Sequence, residues 1–168
     1  MALPRVLKWV IWVVGTVTAL LIVVGVLLSW LFFGLVGEPS KDEVARVVSP
    51  TGKIDAVLVE TNGGATTSFG YEVYILKHGA QPSGSPAVFL YGAIRNQSAY
   101  GSNLKWESPN LLAVEFLSAK SKDISRSSVS IDGQSVQLAV RDGVADPTAP
   151  GGGMLYNLRG RPGDPKGH

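Results

Sequence analysis

Hydrophobic and polar positions divide this chain into two parts of different character. From Trp9 to Val36 it reads WVIWVVGTVTALLIVVGVLLSWLFFGLV, with no charged residue and no His, Asn, Gln or Pro. As a helix of about 28 residues rising about 1.5 Å each, this run would reach about 42 Å, more than the ~30 Å of bilayer hydrocarbon. It predicts one transmembrane helix over residues 9–36, with residues 1–8 before it. Beyond it the pattern shortens to alternation, and turn residues recur at short intervals, which predicts strands.

Residues 37–43 are polar, and Pro39 discourages continuation of the helix, so this stretch reads as a linker. Ser40 and Glu43 have capping-box spacing, which would allow a short helix. The β-branched runs Val44–Val48 and Ile54–Thr61 favour a hairpin instead, since Ser49-Pro50-Thr51-Gly52 between them has Pro and Gly where a type I turn wants them. Ile54, Ala56 and Leu58 alternate with Asp55, Val57 and Val59, so both faces of the second arm are largely apolar and the strand should be internal. Phe69–Lys77, Ala87–Ile94, Leu104–Glu107 and Leu111–Leu117 read as further strands. Ala119–Ser127 is polar and reads as a connection. Val129–Ile131 and Gln134–Val140 flank Asp132-Gly133, a strong two-residue hairpin signal. That turn would pair Ile131 with Gln134 and Val129 with Val136, placing Val129, Ile131, Val136, Leu138 and Val140 on one face. From residue 142 to 168 Pro and Gly dominate, and a flexible tail is expected, with Met154-Leu155-Tyr156 able to dock locally.

The expected fold is therefore an all-β soluble domain over residues 44–141, an antiparallel sheet or small sandwich of about seven or eight strands, behind one N-terminal transmembrane helix. A cleaved signal peptide typically has an apolar run of about 7 to 15 residues and a small-x-small cleavage site. Here the run is about twice that, and Leu35 and Gly37 match such a site poorly, so an uncleaved signal anchor is expected. Trp9 and Trp12 at one rim, and Trp30, Phe32 and Phe33 at the other, suit the two membrane interfaces. Lys41, Arg46 and Lys53 partly offset Arg5 and Lys8, but a short basic N-terminus without acids still places the N-terminus in the cytoplasm and the β domain outside it. Within the span, Gly15, Thr18, Ile22, Gly25 and Ser29 form a mostly small stripe, a candidate face for helix packing in lipid.

Charge and composition narrow the functions. The net charge is +2, and once Arg5 and Lys8 are set aside basic and acidic residues balance, so no basic face is expected to attract nucleic acid. The chain contains no cysteine, which removes disulfides, thiolate metal sites and Cys nucleophiles from consideration. No cofactor motif is present. Glu60, Gly63, Gly64, Thr66, Thr67 and Ser68 are the candidate ligand loop, because a Gly-rich turn with hydroxyls can cradle an anion. It lacks the Gly-Lys-Ser/Thr of a P-loop and a following helix, and a flexible connection between two strands is the ordinary reading of it. Asp55, Glu60, Glu72, Glu107 and Glu115 could serve acid–base chemistry if strands converge them, whereas solvated strand charges are the ordinary alternative. A histidine site would rest on His78 alone. Asn96-Gln97-Ser98 fits a glycosylation acceptor, and Tyr71, Tyr74, Tyr91, Tyr100 and Trp106 could form a recognition surface or fill core.

The stretch V-V-S-P-T-G-K-I-D-A-V-L-V-E from Val47, ending in Y-E-V-Y-I-L-K-H-G, resembles the S-P-D-G-K hairpin repeat of Tol-type bacterial β-propellers, with Lys105–Val114 as a shortened second copy. A closed propeller takes about four or more blades, so the resemblance implies strand–turn–strand geometry alone. From Ser49 to Phe116, S-P-T-G-K, then N-G-G-A-T-T-S and a Trp-containing hairpin, the chain resembles small bacterial envelope proteins, often membrane-tethered, of uncharacterised function. This implies an extracytoplasmic β domain.

The expected function is a non-catalytic, membrane-anchored module at the outer face of a bacterial cytoplasmic membrane, with the lipid bilayer and another membrane or envelope protein as partners. The alternatives are a tethered envelope hydrolase using strand carboxylates or Ser/Thr groups, and a regulatory subunit acting through its helix. The sequence leaves the oligomeric state open.

Overall fold

The structure, a computed structural model, describes residues 4–35 and 39–155, without the side chains of 32–35. The side chains of the aromatic rim at Phe32 and Phe33, Val36 at the end of the expected span, linker residues 37–38 and the tail beyond Leu155 lie outside the described residues. The chain separates into two units, one containing the helix and the other beginning at Pro39.

Helix α1 spans Arg5–Leu35. Pro4 sits just before it and its carbonyl accepts from the amides of Leu7 and Lys8, a position where proline's missing N–H costs nothing. Thr16, Thr18 and Ser29 turn their hydroxyls back onto the carbonyls of Trp12, Val14 and Gly25. The helix thus satisfies these polar atoms from within itself, and its apolar side chains are exposed. The stretch Arg5–Leu31 is long and apolar enough to cross a membrane.

The second unit is a β domain of two sheets. Among the described residues nine strands follow the helix: β1 Ser40–Val48, β2 Ile54–Asn62, β3 Gly70–Lys77, β4 Val88–Tyr91, β5 Asn103–Ser108, β6 Leu111–Glu115, β7 Ser121–Ile124, β8 Ser128–Ile131 and β9 Gln134–Arg141. They form a five-stranded sheet ordered β1-β2-β3-β4-β7 and a four-stranded sheet ordered β5-β6-β9-β8. Between them lies a core of Ile54, Ala56, Leu58, Tyr71, Val73, Val88 and Leu90 from the first and Leu112, Val114 and Val136 from the second. Trp106 of β5 packs against this core and donates its indole N–H to the Val47 carbonyl of β1 at 3.0 Å, tying one sheet to the other.

The local signals act as expected where turn chemistry and alternation agree. The Ser49–Gly52 turn closes with the Gly52 amide on the Ser49 carbonyl at 2.9 Å, and Gly52 takes the positive φ of 71° that follows such a turn. Asp132 and Gly133 have φ of 47° and 81°, and Ile131 pairs with Gln134 and Val129 with Val136. The first seven residues of β2 are buried, its even positions in the main core and Val57 and Val59 in a smaller cluster with Tyr74 on the outer face. A bulge between Glu43 and Ala45 lets Val44 and Ala45 both contact the core.

Four expectations change. Strand β1 begins at Ser40, inside the expected linker, because its ladder to Asn62–Val59 needs no apolar side chains. The polar connection contains β7, a fully exposed edge strand held to β4 through its backbone. The second sheet is mixed, since β6 and β9 run parallel. Residues 142–155 are not a free tail: the Asp146 amide donates to the Arg95 carbonyl, Gly152 pairs with Ser98 and Tyr100, and Met154 is 2% exposed. The glycines permit this approach. A Cβ on Gly151 would stand 3.2 Å from the Ser98 carbonyl oxygen, one on Gly153 3.3 Å from the Phe69 ring, and Gly152 holds φ at 109°.

Met154→Ala should lower stability by about 2–3 kcal/mol through lost burial and the cavity left behind. Gly152→Ala should also destabilise, by about 1 kcal/mol or more, because its φ is strained for any other residue. Urea unfolding of both variants against wild type measures this. Unchanged midpoints would mean that the segment is not docked.

Candidate functional site

Strand β2 carries two acids into the interior, and alternation sends them to opposite faces. Glu60, at 5% exposure, faces inward. Its carboxylate accepts the Tyr71 hydroxyl at 2.8 Å and the Met154 amide at 2.7 Å. Burial first, and then the adjacent Glu60 charge, push the Tyr71 phenol far above its ordinary range, so it stays a donor. Arg95, also buried, pairs with Asp146 at 3.2 Å and reaches the Met154 sulfur at 3.3 Å. Asn96 donates its side-chain amide to the Asp146 and Ala149 carbonyls, so the residue of the glycosylation pattern is engaged in holding the same segment.

Glu60 is thereby separated from the loop with which the sequence grouped it. Gly63, Gly64, Thr66 and Thr67 are exposed and Ser68 is half-buried. Three of the loop's N–H groups are engaged: Gly64 donates to Asn62, Thr67 to the Gly64 carbonyl and Ser68 to the Tyr91 hydroxyl, while Lys120 donates to the Ser68 hydroxyl. An anion cradle needs several such amides converging on one point, and here Gly64 and Thr67 close a local turn while Ser68 is tied to β4.

Gly15 and Gly25 meet nothing within 4 Å of where a Cβ would stand. The hydroxyls of Thr18 and Ser29 are bound within the helix, and Ile22 is exposed. The stripe thus faces no packed neighbour among the described residues.

Asp55, 0% exposed, faces the outer side of β2. It accepts Arg46 of β1 at 2.7 Å, the Gly79 amide at 2.9 Å and His78 Nδ1 at 2.8 Å. Burial alone would raise its carboxyl, but the His78, Gly79 and Arg46 hydrogen bonds prevail and hold it below the ordinary 3.8. The Arg46 guanidinium also forks onto Glu43 and donates to the Ala80 carbonyl, and the Glu43 hydrogen bond leads in pushing its pKa upward. Asp55 and His78 were each legible as candidates, but their pairing was not, because they lie 23 positions apart and meet only through the β2–β3 register.

His78 is 56% exposed and lines a cleft of about 560 Å³ with Lys53, Ile54, Lys77, Ile131, Asp132, Gly133 and Gln134. The cleft lies where the β2 and β3 ends meet the β8–β9 turn. An Asp-held histidine is half of a general-base arrangement, but no hydroxyl or thiol nucleophile stands among the lining residues. Of the other acids, Glu72 takes Lys41 and the Tyr74 hydroxyl, and burial followed by that bond pushes the Tyr74 phenol up to about 12. Glu107 and Glu115 share Arg141. The aromatic residues likewise divide between core and local hydrogen bonds, with Tyr100 stacked at a tilt on Phe69. Among the described residues no cluster of three or more His, Cys, Asp or Glu could hold a metal ion.

Comparison with family models, with curated proteins and with solved structures returned no match.

Asp55→Ala should cost about 3 kcal/mol, because it strands Arg46 and the Gly79 amide. His78→Ala should cost under about 1 kcal/mol, since that side chain is largely solvated. The folded-state pKa of Asp55 lies below its unfolded value, so its contribution is present at neutral pH and is lost as pH falls below about 4. Denaturant midpoints from pH 7 to pH 2 should therefore drop less steeply in Asp55→Asn than in wild type. Parallel pH profiles would contradict this account of Asp55.

Proposed function

We propose that this chain is a single-pass, membrane-anchored module whose β domain stands outside the cytoplasm and binds a partner or supports an envelope complex without catalysing a reaction. The observation that carries the reading is the helical stretch of 27 residues, Arg5–Leu31, with its apolar side chains uncovered, in a chain whose β domain closes a core of its own. In water such a surface would be a large unpaid hydrophobic exposure; in lipid it is at home. The back-bonded hydroxyls of Thr16, Thr18 and Ser29 fit the same solvent, where an unsatisfied polar atom costs several kcal/mol or about that order.

The domain's acids fit a binding role better than a hydrolytic one. Asp55 and Glu60 are committed to amides, Arg46 and Tyr71 inside the fold, and Glu107 and Glu115 to Arg141. A general acid or base has to be able to give up its partner, and these acids hold chain segments in place. Confinement to a surface raises a module's effective concentration toward a neighbour in the same membrane, so modest contacts suffice. The resemblance to tethered envelope proteins accords with this reading.

Two experiments test it. The full-length protein should stay in the membrane pellet after carbonate extraction and retain residues from Trp9 to Val36 by mass spectrometry. A carbonate-soluble mature chain lacking that stretch would overturn the anchor. Affinity purification from detergent should recover the same partner with the full chain and with one beginning at Pro39. A partner held only when α1 is present would shift the binding role from the domain to the helix.

A further inference from the structure

We infer that one face of the rim at the N-terminal end of α1 binds an anionic phospholipid. Such a site rests on the reading of α1 as a membrane span and adds which lipid that span selects. At about 100° per residue, Arg5, Lys8, Trp9, Trp12, Val13 and Thr16 follow one another at spacings of three and four, on one side of the helix. Val6, Leu7, Val10, Ile11 and Val14 fall on the other side. Both cations and both tryptophans of this rim therefore share a face. An anchor that had only to hold its depth would work as well with them spread around the helix, since every side of a lone span meets the same interface.

The upper part of that face is positive and uncompensated. No Asp or Glu occurs before Glu38, so nothing within the helix offsets Arg5 and Lys8. Next to the cations the same face is grooved. Lys8, Trp9, Trp12, Val13 and Thr16 line a groove of about 330 Å³. A second groove shares Trp12 and Thr16 and runs on past Gly15 and Ala19. The Thr16 hydroxyl is turned back onto the Trp12 and Val13 carbonyls, so it offers the groove no free donor. From Lys8 to Ala19 the helix rises about 16 Å, close to half of the ~30 Å of bilayer hydrocarbon, which is the depth of one leaflet and so of one acyl chain.

Charge and groove together select the occupant. An acidic peptide would answer the cations but leave the apolar groove unfilled. A second apolar helix would fill the groove but bring no charge to Arg5 and Lys8. A phospholipid of net negative charge does both, with its phosphate at the cations, its ester region beside the two indole rings, which favour the interface, and an acyl chain along the groove. A zwitterionic lipid fits the groove equally well but carries its own cation to the same place, so the discrimination is one of charge.

The test places the full-length protein in nanodiscs of equal phosphatidylcholine and phosphatidylglycerol and counts the lipid it retains by native mass spectrometry. The comparison is a chain of identical composition carrying Arg5→Leu, Val6→Lys, Leu7→Arg and Lys8→Val. It keeps both charges and their mean depth but turns them to the opposite side of the helix, away from the tryptophans. Wild type should retain phosphatidylglycerol over phosphatidylcholine by roughly fivefold or more, and the rearranged chain should lose most of that preference. Equal retention of the two lipids by wild type would overturn the site. So would an undiminished preference in the rearranged chain, which would mean attraction to charge wherever it lies on the helix. Either result in a chain that stays in the carbonate pellet is a failure of the site alone, whereas loss from the pellet is a failure of the anchor.

Discussion

A carboxylate removed from water has to be met by donors inside the protein, and β2 imposes that requirement twice. Asp55 and Glu60 lie five residues apart on a strand buried on both faces, so one points outward and the other into the core. An unpaired buried charge would cost about 3–5 kcal/mol, a large share of a domain's marginal stability. Each acid is therefore met by chain segments brought from elsewhere. Asp55 collects Arg46 from β1 and the turn at His78 and Gly79 after β3. Glu60 collects Tyr71 from β3 and the backbone at Met154.

Much of the domain's architecture follows from these two demands. The outer demand fixes the turn after β3, and so sets His78 beside Lys53 at the mouth of the cleft. The inner demand anchors a glycine-rich segment that would otherwise have little apolar surface to hold it. Arg95, Asp146 and Asn96 reinforce that anchorage, with Asp146 kept below the usual aspartate range: burial opposes its charge, but Thr148, Asn103 and Arg95 outweigh that. The same carboxylates that stitch the fold are thereby engaged by partners inside it.

What could be read beforehand was whatever is encoded within a few residues. Alternation marked β2, β3 and β9, and Asp132-Gly133 set both its turn and its register, because positive φ at two successive positions admits few residues. The lone apolar helix needed only length and composition. The signals failed where structure depends on distant partners. Strand β7, Ser-Lys-Asp-Ile, is entirely exposed, so its side chains carry no pattern and only the β4 backbone defines it. The parallel pairing of β6 with β9 joins segments separated by two other strands. Gly151–Gly153 has the composition of a flexible tail and the conformation of a close approach, and nothing local distinguishes them. Glu60 was grouped with the neighbouring glycine loop, but its partner Met154 stands 94 positions away. The Asp55–His78 pair was hidden for the same reason.

The central claim is that the two β2 carboxylates hold these outlying segments as firmly as the sheet holds itself. Native-state hydrogen exchange at the amides of Gly79 and Met154 tests it most directly, since each is donated to one of those acids. Both amides should exchange only through global unfolding, with protection equal to that of Val57 and Leu58 in β2. Exchange of either at the rate of a free chain, while β2 stays protected, would contradict it.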